Sequence, residues 1–426
     1  MFSSQAAFIE QMNILFLTDN FFPEVNAPAS RTFEHCREWA KKPGCTVTVI
    51  TCVPNFPNGK VFKGYANKLF QVETIAGIRV IRVWSYISPN QGSVRRVLDY
   101  LSFMLMAVVA TIFVRRVDVI VATSPQFFTA CAGFLGAWIK RCPWIFELRD
   151  IWPESIRVVG AMDDGVALRL VERLELFLYR KANRIVSVTH AFKNSLGRRG
   201  IDTAKIDVVT NGVDLSKFTP IPKDQVLLSE LDLHGKFVAG YIGTHGLAHG
   251  LDSILDAACK LQLTRPQSDI TFLFLGDGAE KKSLLSRAQA LELKNVIFLD
   301  SVGKDEVSRY WSILDVAIIH LQRQPLFETV IPSKIFECMG MGLPMAHGVQ
   351  GESADIVNAA GAGITFQSEN PEDLLRVLAK MEEDTELREN LSVCGVRAAK
   401  EFDRANLADR MYKILLNAKA GAHEND

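Results

Sequence analysis

The apolar positions in the first half of the chain fall into short runs that are separated by stretches of helical length. These runs occupy residues 13–18, 46–51, 118–122, 144–147, 185–189 and 206–210. They are apolar along their whole length, which is typical of parallel strands buried on both faces of a sheet. The alternation therefore predicts a first Rossmann-like α/β domain.

The pattern pauses at residues 211–223, where an Asn-Gly pair and two prolines are typical of an interdomain linker. It then resumes with apolar runs at residues 237–242, 270–275, 296–299, 316–321 and 344–347. We therefore predict an α/β fold of two Rossmann-like, doubly wound parallel-sheet domains facing a cleft, where ligands bind at the carboxyl ends of the strands. The expected domains are residues 12–215 and 216–400, with a helix at residues 401–420 that could cross back to the first domain.

One stretch, residues 97–114, contains 18 residues with a single acid and approaches the length of a membrane-spanning helix. The runs on either side of it, residues 79–84 and 118–123, are both predicted strands of one sheet, so a single crossing would separate them and we exclude a span. Two alternatives stay open: a helix buried on all sides, or a helix whose outer face dips into a bilayer with flanking arginines at the headgroups. These arginines are Arg95, Arg96, Arg115 and Arg116.

Charge and cysteine content narrow the class of protein. The 48 basic and 48 acidic residues balance, so no global field draws the chain to nucleic acid. The eight cysteines show no CxxC pair and no spacing suited to zinc, which indicates a reduced, cytoplasmic compartment and predicts no metal site. Residues 1–11 lack the features of a secretory signal, and Met12 is an alternative start to Met1.

A glycine-rich turn, YIGTHGLAHG at residues 241–250, lies between a predicted strand and a predicted helix. Gly243, Gly246 and Gly250 allow backbone N–H groups to approach a ligand, and the helix N-terminus adds partial positive charge. A diphosphate suits such a site. The spacing GxxGxxxG differs from the dinucleotide fingerprint GxGxxG, which argues against NAD or FAD.

A second motif, IPSKIFECMGMGLP, occupies residues 331–344. Its Pro-Ser pair predicts a helix start, after which Lys334 and Glu337 project from one face of the helix. A carboxylate can accept hydrogen bonds from both ribose hydroxyls, while an ammonium can bind a phosphate. A surface Lys–Glu pair is the plain alternative, but the apolar, glycine-bounded setting favours a site.

With these two motifs and five more, the chain resembles the family 4 retaining glycosyltransferases of the GT-B superfold, in the branch that builds bacterial surface polysaccharide such as O-antigen and capsule. The further motifs are residues 15–31, 122–125 (ATSP), 146–154 (FELRDIWPE), 211–214 (NGVD) and 276–278 (GDG). The resemblance covers nearly the whole chain. It implies transfer of a sugar, expected to be an N-acetylated hexosamine or a deoxyhexosamine, from a UDP-sugar to a lipid-linked or glycan acceptor with retention of configuration.

The resemblance also implies that Glu337 binds the donor ribose and that the glycine-rich turn faces the diphosphate. The Arg and Lys usual in that turn are Thr244 and His249 here, and the earlier of two usual glutamates is Thr329, with Glu328 one residue out of register. We therefore expect Lys334 to be the main diphosphate cation, assisted by Arg323 and by His249 protonated near neutrality. The expected donor-binding residues are Gly243, Thr244, His245, Gly246, His249, Gly250, Arg323, Lys334 and Glu337.

The implied reaction needs no metal and no cofactor besides the donor, because fixed groups can meet the charge of the departing diphosphate. We expect Arg149, Asp150 and Lys334 to be catalytic, although an ion pair at the cleft rim explains the first two equally well. On the acceptor side we expect Asp19, Asn26, Arg31 and His190.

The expected acceptor is a polyprenyl-diphosphate-linked sugar at the inner face of the cytoplasmic membrane, with peripheral membrane contact by the protein. Two alternatives stay open. A UDP-sugar epimerase of the same fold would need no acceptor. A catalytically degenerate partner protein would bind the nucleotide sugar without turnover.

Overall fold

The computed structural model describes residues 11–56, 59–87, 93–124, 126–151, 166–303 and 305–423. Most of the leader, Pro125 and the end of the 146–154 motif lie outside these residues. The described chain divides into two compact units: unit 1 runs to Thr210 and resumes at Arg404, and unit 2 runs from Asn211 to Asp403.

Unit 1 is built on an eight-stranded sheet in the order β3-β4-β2-β1-β5-β6-β7-β8, parallel throughout except for the β3–β4 hairpin. Its strands are β1 (Met12–Leu17), β2 (Cys45–Cys52), β3 (Phe70–Ile75), β4 (Ile78–Val83), β5 (Val119–Thr123), β6 (Trp144–Leu148), β7 (Arg184–Ser187) and β8 (Ile206–Val208). Its helices are α1 (Ala27–Ala40), α2 (Ser93–Phe113), α3 (Phe127–Lys140), α4 (Val166–Lys181), α5 (His190–Arg198) and, at the end of the chain, α14 (Arg404–His423).

The helices of unit 1 cover both faces of this sheet. One core joins α2, α3, α4 and α5 to one face, and a second core joins α1 and α14 to the other. The strand order explains this division: β2 and β4 lie on one side of β1, and β5 to β8 lie on the other. Crossovers of one hand that run in opposite directions along a sheet place their helices on opposite faces. On α3, Gly133 permits close packing, since a Cβ there would lie 2.4 Å from the Cβ of Ala122 on β5.

Helix α2 contains the apolar stretch noted in the sequence. Residues Arg95–Phe113 have a mean hydropathy of 1.7 and the length of a membrane span. Phe103, Ala107 and Ala110 are buried against the sheet, whereas Leu105 and Phe113 are 61% and 72% exposed. The alternative of a helix buried on all sides is therefore wrong.

Unit 2 contains a six-stranded, fully parallel sheet in the order β11-β10-β9-β12-β13-β14. Its strands are β9 (Phe237–Ile242), β10 (Ile270–Leu275), β11 (Val296–Leu299), β12 (Val316–His320), β13 (Met345–Gly348) and β14 (Gly363–Thr365). Its helices are α6 (Gln225–Glu230), α7 (Asp252–Thr264), α8 (Lys281–Ala290), α9 (Val307–Ser312), α10 (Lys334–Met341), α11 (Glu352–Ala360), α12 (Pro371–Glu383) and α13 (Thr385–Ala399). The prediction of two Rossmann-like α/β domains is confirmed.

The unit boundaries differ by a few residues from those expected. The division falls at Thr210 instead of residue 215, because the amide of Val213 donates to the carbonyl of Phe402 at 2.9 Å and adds this segment to unit 2. Helix α14 packs on α1 in unit 1, where the indole of Trp39 donates to the carbonyl of Ala408 at 2.8 Å.

Candidate functional site

The glycine-rich turn of unit 2 follows β9 at the carboxyl edge of the sheet. Gly243 has a φ of +147° and Gly250 a left-handed φ of +56°, and a short 3-10 helix lies between them. The amides of Gly243 and His245 donate to the carbonyls of Leu275 and Asp277, at 2.9 and 2.8 Å. These two N–H groups therefore support the turn and do not face a ligand.

The loop after β10, residues 276–278, packs so closely against this turn that two of its positions require glycine. A Cβ on Gly276 would lie 1.9 Å from the carbonyl oxygen of Gly243, and one on Gly278 would lie 2.3 Å from that of His245. Backbone meets backbone here, so neither position has room for a side chain. The GDG sequence thus fixes the conformation of the glycine-rich turn.

Lys334, the first residue of α10, places its ammonium directly against Gly243. A Cβ added to Gly243 would lie only 2.6 Å from Lys334 Nζ. That nitrogen is buried and makes no hydrogen bond within the part of the chain that the structure describes. Burial lowers the pKa of Lys334 to about 8, against the opposing effects of Cys338 and Glu337. Since an unpaired buried ammonium is costly, an anionic ligand is the partner that this site fits.

The ring of Tyr241, near the end of β9, packs against the ammonium of Lys334. Lys334 Nζ lies 3.8 Å from the centroid of the Tyr241 ring, within the range of a cation–π contact. The Tyr241 hydroxyl donates to the carbonyl of Thr244 at 2.8 Å and closes the turn. Sequence reasoning missed this residue, because a buried aromatic in a strand resembles ordinary core.

The two histidines of the turn are neutral. Burial is the main cause that lowers the pKa of His245 to about 4 and that of His249 to about 3, and Lys334 lowers both further. The expectation that His249 is protonated near neutrality is therefore wrong for the protein without ligand. Lys334 is the cation that contacts the turn.

His320, at the end of β12, was also missed. Its Nδ1 bonds the carbonyl of His249 at 2.7 Å, and its Nε2 accepts from the amide of Glu369 at 3.0 Å. One ring nitrogen thus donates to the glycine-rich turn while the other accepts from the loop after β14. This buried histidine joins two loops of the same edge.

The remaining predicted residues of unit 2 are spread around this edge. Glu337 lies in the first turn of α10 with Lys334 and is half-buried. Arg323 is exposed and lines a cavity of about 550 Å³ together with Glu328 and Gln350. Thr329 donates its hydroxyl to the carbonyl of Leu326 at 2.7 Å, which is a turn contact within its own loop.

At the carboxyl edge of the unit 1 sheet, Arg149 and Asp150 follow β6. The hydroxyl of Ser124 accepts from both of their amides, at 2.9 and 3.3 Å. Burial raises the pKa of Asp150 to about 6, and it also raises the pKa of Asp19 after β1, while Arg149 lowers both. Burial lowers the pKa of Arg149 to about 10. Two carboxyls and a guanidinium thus share one electrostatic environment.

The three other expected acceptor residues have contacts of their own. Asn26 caps α1, accepting from the amide of Ala29 at 2.9 Å. Arg31 is buried and donates to Glu147 at 2.9 Å and to the carbonyl of Val209 at 2.8 Å, so its guanidinium joins β6 to the segment after β8. His190 is exposed at the start of α5. Within the described ranges, no three His, Cys, Asp or Glu side chains are grouped to hold a metal ion.

Comparison with known families matches both units. Residues 28–212 match the glycosyl transferase 4-like domain, and residues 229–395 match glycosyl transferases group 1.

Individual relatives are distant. WcaI of Escherichia coli strain K12, which has the name of a colanic acid biosynthesis glycosyl transferase, is 23% identical over 78% of this chain and 82% of its own length. WbjE of Pseudomonas aeruginosa, named as a glycosyltransferase, is 24% identical over 64% of this chain and 68% of its own. The crystal structure of Anabaena Alr3699/HepE in complex with UDP and glucose superposes with a TM-score of 0.72 at 18% identity, covering 95% of this chain and 99% of that one.

Proposed function

We propose that this chain, which belongs to the glycosyltransferases that pair a glycosyl transferase 4-like domain with a group 1 domain in the GT-B fold, uses a UDP-sugar as donor. The sugar, an N-acetylated hexosamine or a deoxyhexosamine, goes to a lipid-linked or glycan acceptor in the synthesis of a bacterial surface polysaccharide such as O-antigen or capsule. The buried ammonium of Lys334 beside Gly243, without a hydrogen-bond partner among the described residues, is the observation on which the donor site rests.

The diphosphate would lie between the glycine-rich turn and α10. Gly243 and His245 donate to the neighbouring loop, so the amides of Thr244 and Gly246, which alternate with them, are the proposed backbone donors to phosphate oxygens. Lys334 supplies the positive charge, and Glu337, one turn along α10, accepts from the ribose hydroxyls. The co-crystallised UDP of the Anabaena protein supports uracil as the base.

The proposed transfer keeps the configuration of the sugar and needs no metal. The bond between the anomeric carbon and the diphosphate oxygen breaks while the acceptor hydroxyl attacks the same face. The proton of that hydroxyl passes to the departing diphosphate oxygen. Lys334 meets the developing negative charge, and its pKa of about 8 leaves it mostly protonated at pH 7.

On the acceptor side we assign Asp19, Arg149 and Asp150. Each carboxyl has a raised pKa and lies at the carboxyl edge of the unit 1 sheet, where an open α/β sheet binds ligands. Their proposed partner is the hydroxyl or diphosphate of a polyprenyl-diphosphate-linked sugar at the inner face of the cytoplasmic membrane. The colanic acid name of the Escherichia coli relative supports a role in polysaccharide synthesis.

Protection against thermal unfolding tests the donor, because a ligand that binds only the folded protein stabilises it. We expect UDP and UDP-sugars to raise the midpoint and GDP- and dTDP-sugars to leave it unchanged. Transfer is then measured as UDP release with a polyprenyl-diphosphate-linked sugar, with and without EDTA. Activity that EDTA abolishes contradicts the metal-free mechanism, interconversion of the UDP-sugar without acceptor indicates an epimerase, and binding without turnover on any acceptor indicates a degenerate partner protein.

A further inference from the structure

Three neighbouring helices of unit 1 each expose a stripe of large apolar side chains. Successive members of the stripe lie seven, four and three residues apart on α2, three apart on α3, and four and three apart on α4. The stripes are Leu98, Leu105, Val109 and Ile112 on α2, Leu135 and Trp138 on α3, and Leu170, Leu174 and Phe177 on α4. Phe113 adds a further exposed ring at the end of α2. We call this set the apolar face.

The apolar face is continuous, because α3 contacts both neighbours. Lys140 at the end of α3 donates to the carbonyl of Ile112 on α2 at 2.9 Å. Phe134 of α3 packs edge-on against Phe177 of α4, with ring centroids 5.4 Å apart. All three helices pack on the same side of the sheet.

Other helices of the described chain lack such stripes. On α1 and α14, which cover the opposite side of the same sheet, no described residue is an exposed large hydrophobic. The helices of unit 2 expose at most one each within the described residues, as Leu263 on α7 illustrates. The apolar face is therefore a local feature, of the kind that marks an interaction surface.

The charges on α2, α3 and the residues that directly follow them are mostly basic. Residues 93–116 and 127–142 contain six basic residues and one acid, although the whole chain has 48 of each sign. The six are Arg95, Arg96, Arg115, Arg116, Lys140 and Arg141. On α4, the carboxylates of Glu172 and Glu175 lie 3.5 and 2.6 Å from the guanidinium of Arg199, which offsets their negative charge.

We propose that the apolar face binds the surface of a bilayer that contains anionic lipids. Aliphatic stripes would lie at the boundary between headgroups and acyl chains, and the arginines at the helix ends would meet lipid phosphates. Trp138, 76% exposed, and Phe113, 72% exposed, stand at the C-terminal ends of α3 and α2, and aromatic rings favour that interface. Membrane binding would bring the protein to the lipid-linked acceptor proposed above, and to that extent it rests on the proposed function. The exposed residues of the apolar face are the same whatever the donor is.

Cosedimentation of the full chain with vesicles tests the proposal. We expect binding to vesicles of phosphatidylglycerol and phosphatidylethanolamine and weak binding to phosphatidylcholine alone. The double change Phe113→Ser and Trp138→Ser should weaken binding by roughly tenfold or more, and Arg115→Gln with Arg116→Gln by about fivefold per residue at low salt. Leu263→Ser is the matched control, because Leu263 is as exposed as Trp138, at 76%, but lies in unit 2.

Any one of three results would overturn the proposal: the wild-type chain fails to bind anionic vesicles, the Phe113/Trp138 variant binds them as well as wild type does, or the Leu263→Ser control loses as much binding as the Phe113/Trp138 variant. A concentration-dependent dimer that the Phe113/Trp138 change abolishes would assign the face to a second copy instead. Thermal protection by UDP, measured on the same variants, separates this proposal from the proposed function. Vesicle binding without protection by UDP contradicts only the proposed UDP-sugar donor. Protection by UDP without vesicle binding contradicts only the proposed membrane surface.

Discussion

The substitution Lys334→Met tests the donor site most directly, because the structure predicts opposite effects on stability and on binding. Burial lowers the pKa of Lys334 from 10.5 to about 8. Between these two values the unfolded chain holds the proton and the folded chain does not, so stability rises with pH across this window. At pH 7 the full destabilisation is present, and it corresponds to roughly 3 kcal/mol at 1.4 kcal/mol per pH unit.

Removal of the buried charge should therefore stabilise the ligand-free protein at pH 7 by up to about 3 kcal/mol. For a unit of this size the midpoint should rise by about 2–4 °C per kcal/mol. UDP at a hundred times its Kd stabilises wild type by about 2.7 kcal/mol. The variant loses a charge-assisted hydrogen bond worth about 1.5–3 kcal/mol, so most of this increment should disappear.

The assay is thermal or urea unfolding at pH 7 and pH 9, with and without UDP. Lys281→Met is the matched control, since Lys281 is a buried lysine of the same unit that donates to Gly276, Leu299 and Asp300 at 2.8, 3.0 and 2.6 Å. That change should destabilise the free protein. A Lys334→Met protein that is less stable than wild type at pH 7 without ligand, or that keeps the full UDP increment, would contradict the prediction.

Substitutions at three further residues test the remaining contacts. Tyr241→Leu, which removes the ring beneath Lys334, should weaken calorimetric UDP binding by about fivefold, whereas Tyr241→Phe keeps the ring and should cost about 1 kcal/mol of stability; equal UDP affinity in the Leu variant and wild type would contradict the cation–π contact. Asp150 has a folded pKa of about 6, above its ordinary 3.8, so the stability contributed by its protonated form is lost as pH rises from about 4 to 6. Asp150→Asn should therefore stabilise unit 1 at pH 7 by up to about 3 kcal/mol and flatten the pH dependence in that window, and a loss of stability at pH 7 would show that the carboxylate is structural. Arg31→Ala should cost about 3–5 kcal/mol, because it leaves Glu147 buried and unpaired, while UDP protection persists; a well-folded variant without activity would instead favour substrate contact.

The strands and helices could be predicted because each depends on a local pattern. The fully apolar runs of β9 and β10 identify parallel strands wherever they lie in the fold. Of the β3–β4 hairpin, only β4 could be predicted. Strand β3 alternates exposed and half-buried residues at a sheet edge and has no continuous apolar run.

In the candidate site, the glycine-rich turn and the Lys334–Glu337 pair could be found from residue type and spacing alone. The roles of Tyr241 and His320 could not, because their contacts join residues from different strands and loops. The buried ion pair of Arg31 could not be predicted for the same reason, since its carboxylate partner lies 116 residues away.

Residue type and spacing were enough to predict the fold class, the position of the glycine-rich turn and its lack of the Arg and Lys that the family resemblance leads one to expect there. Tertiary structure decided which cation contacts the turn, because burial neutralises His249 and places Lys334 against Gly243. It also decided that the apolar helix α2 is half-buried and half-exposed, since only the packed sheet shows which stripe is left outside. Burial and charge environment depend on contacts between distant segments, and no local pattern contains them.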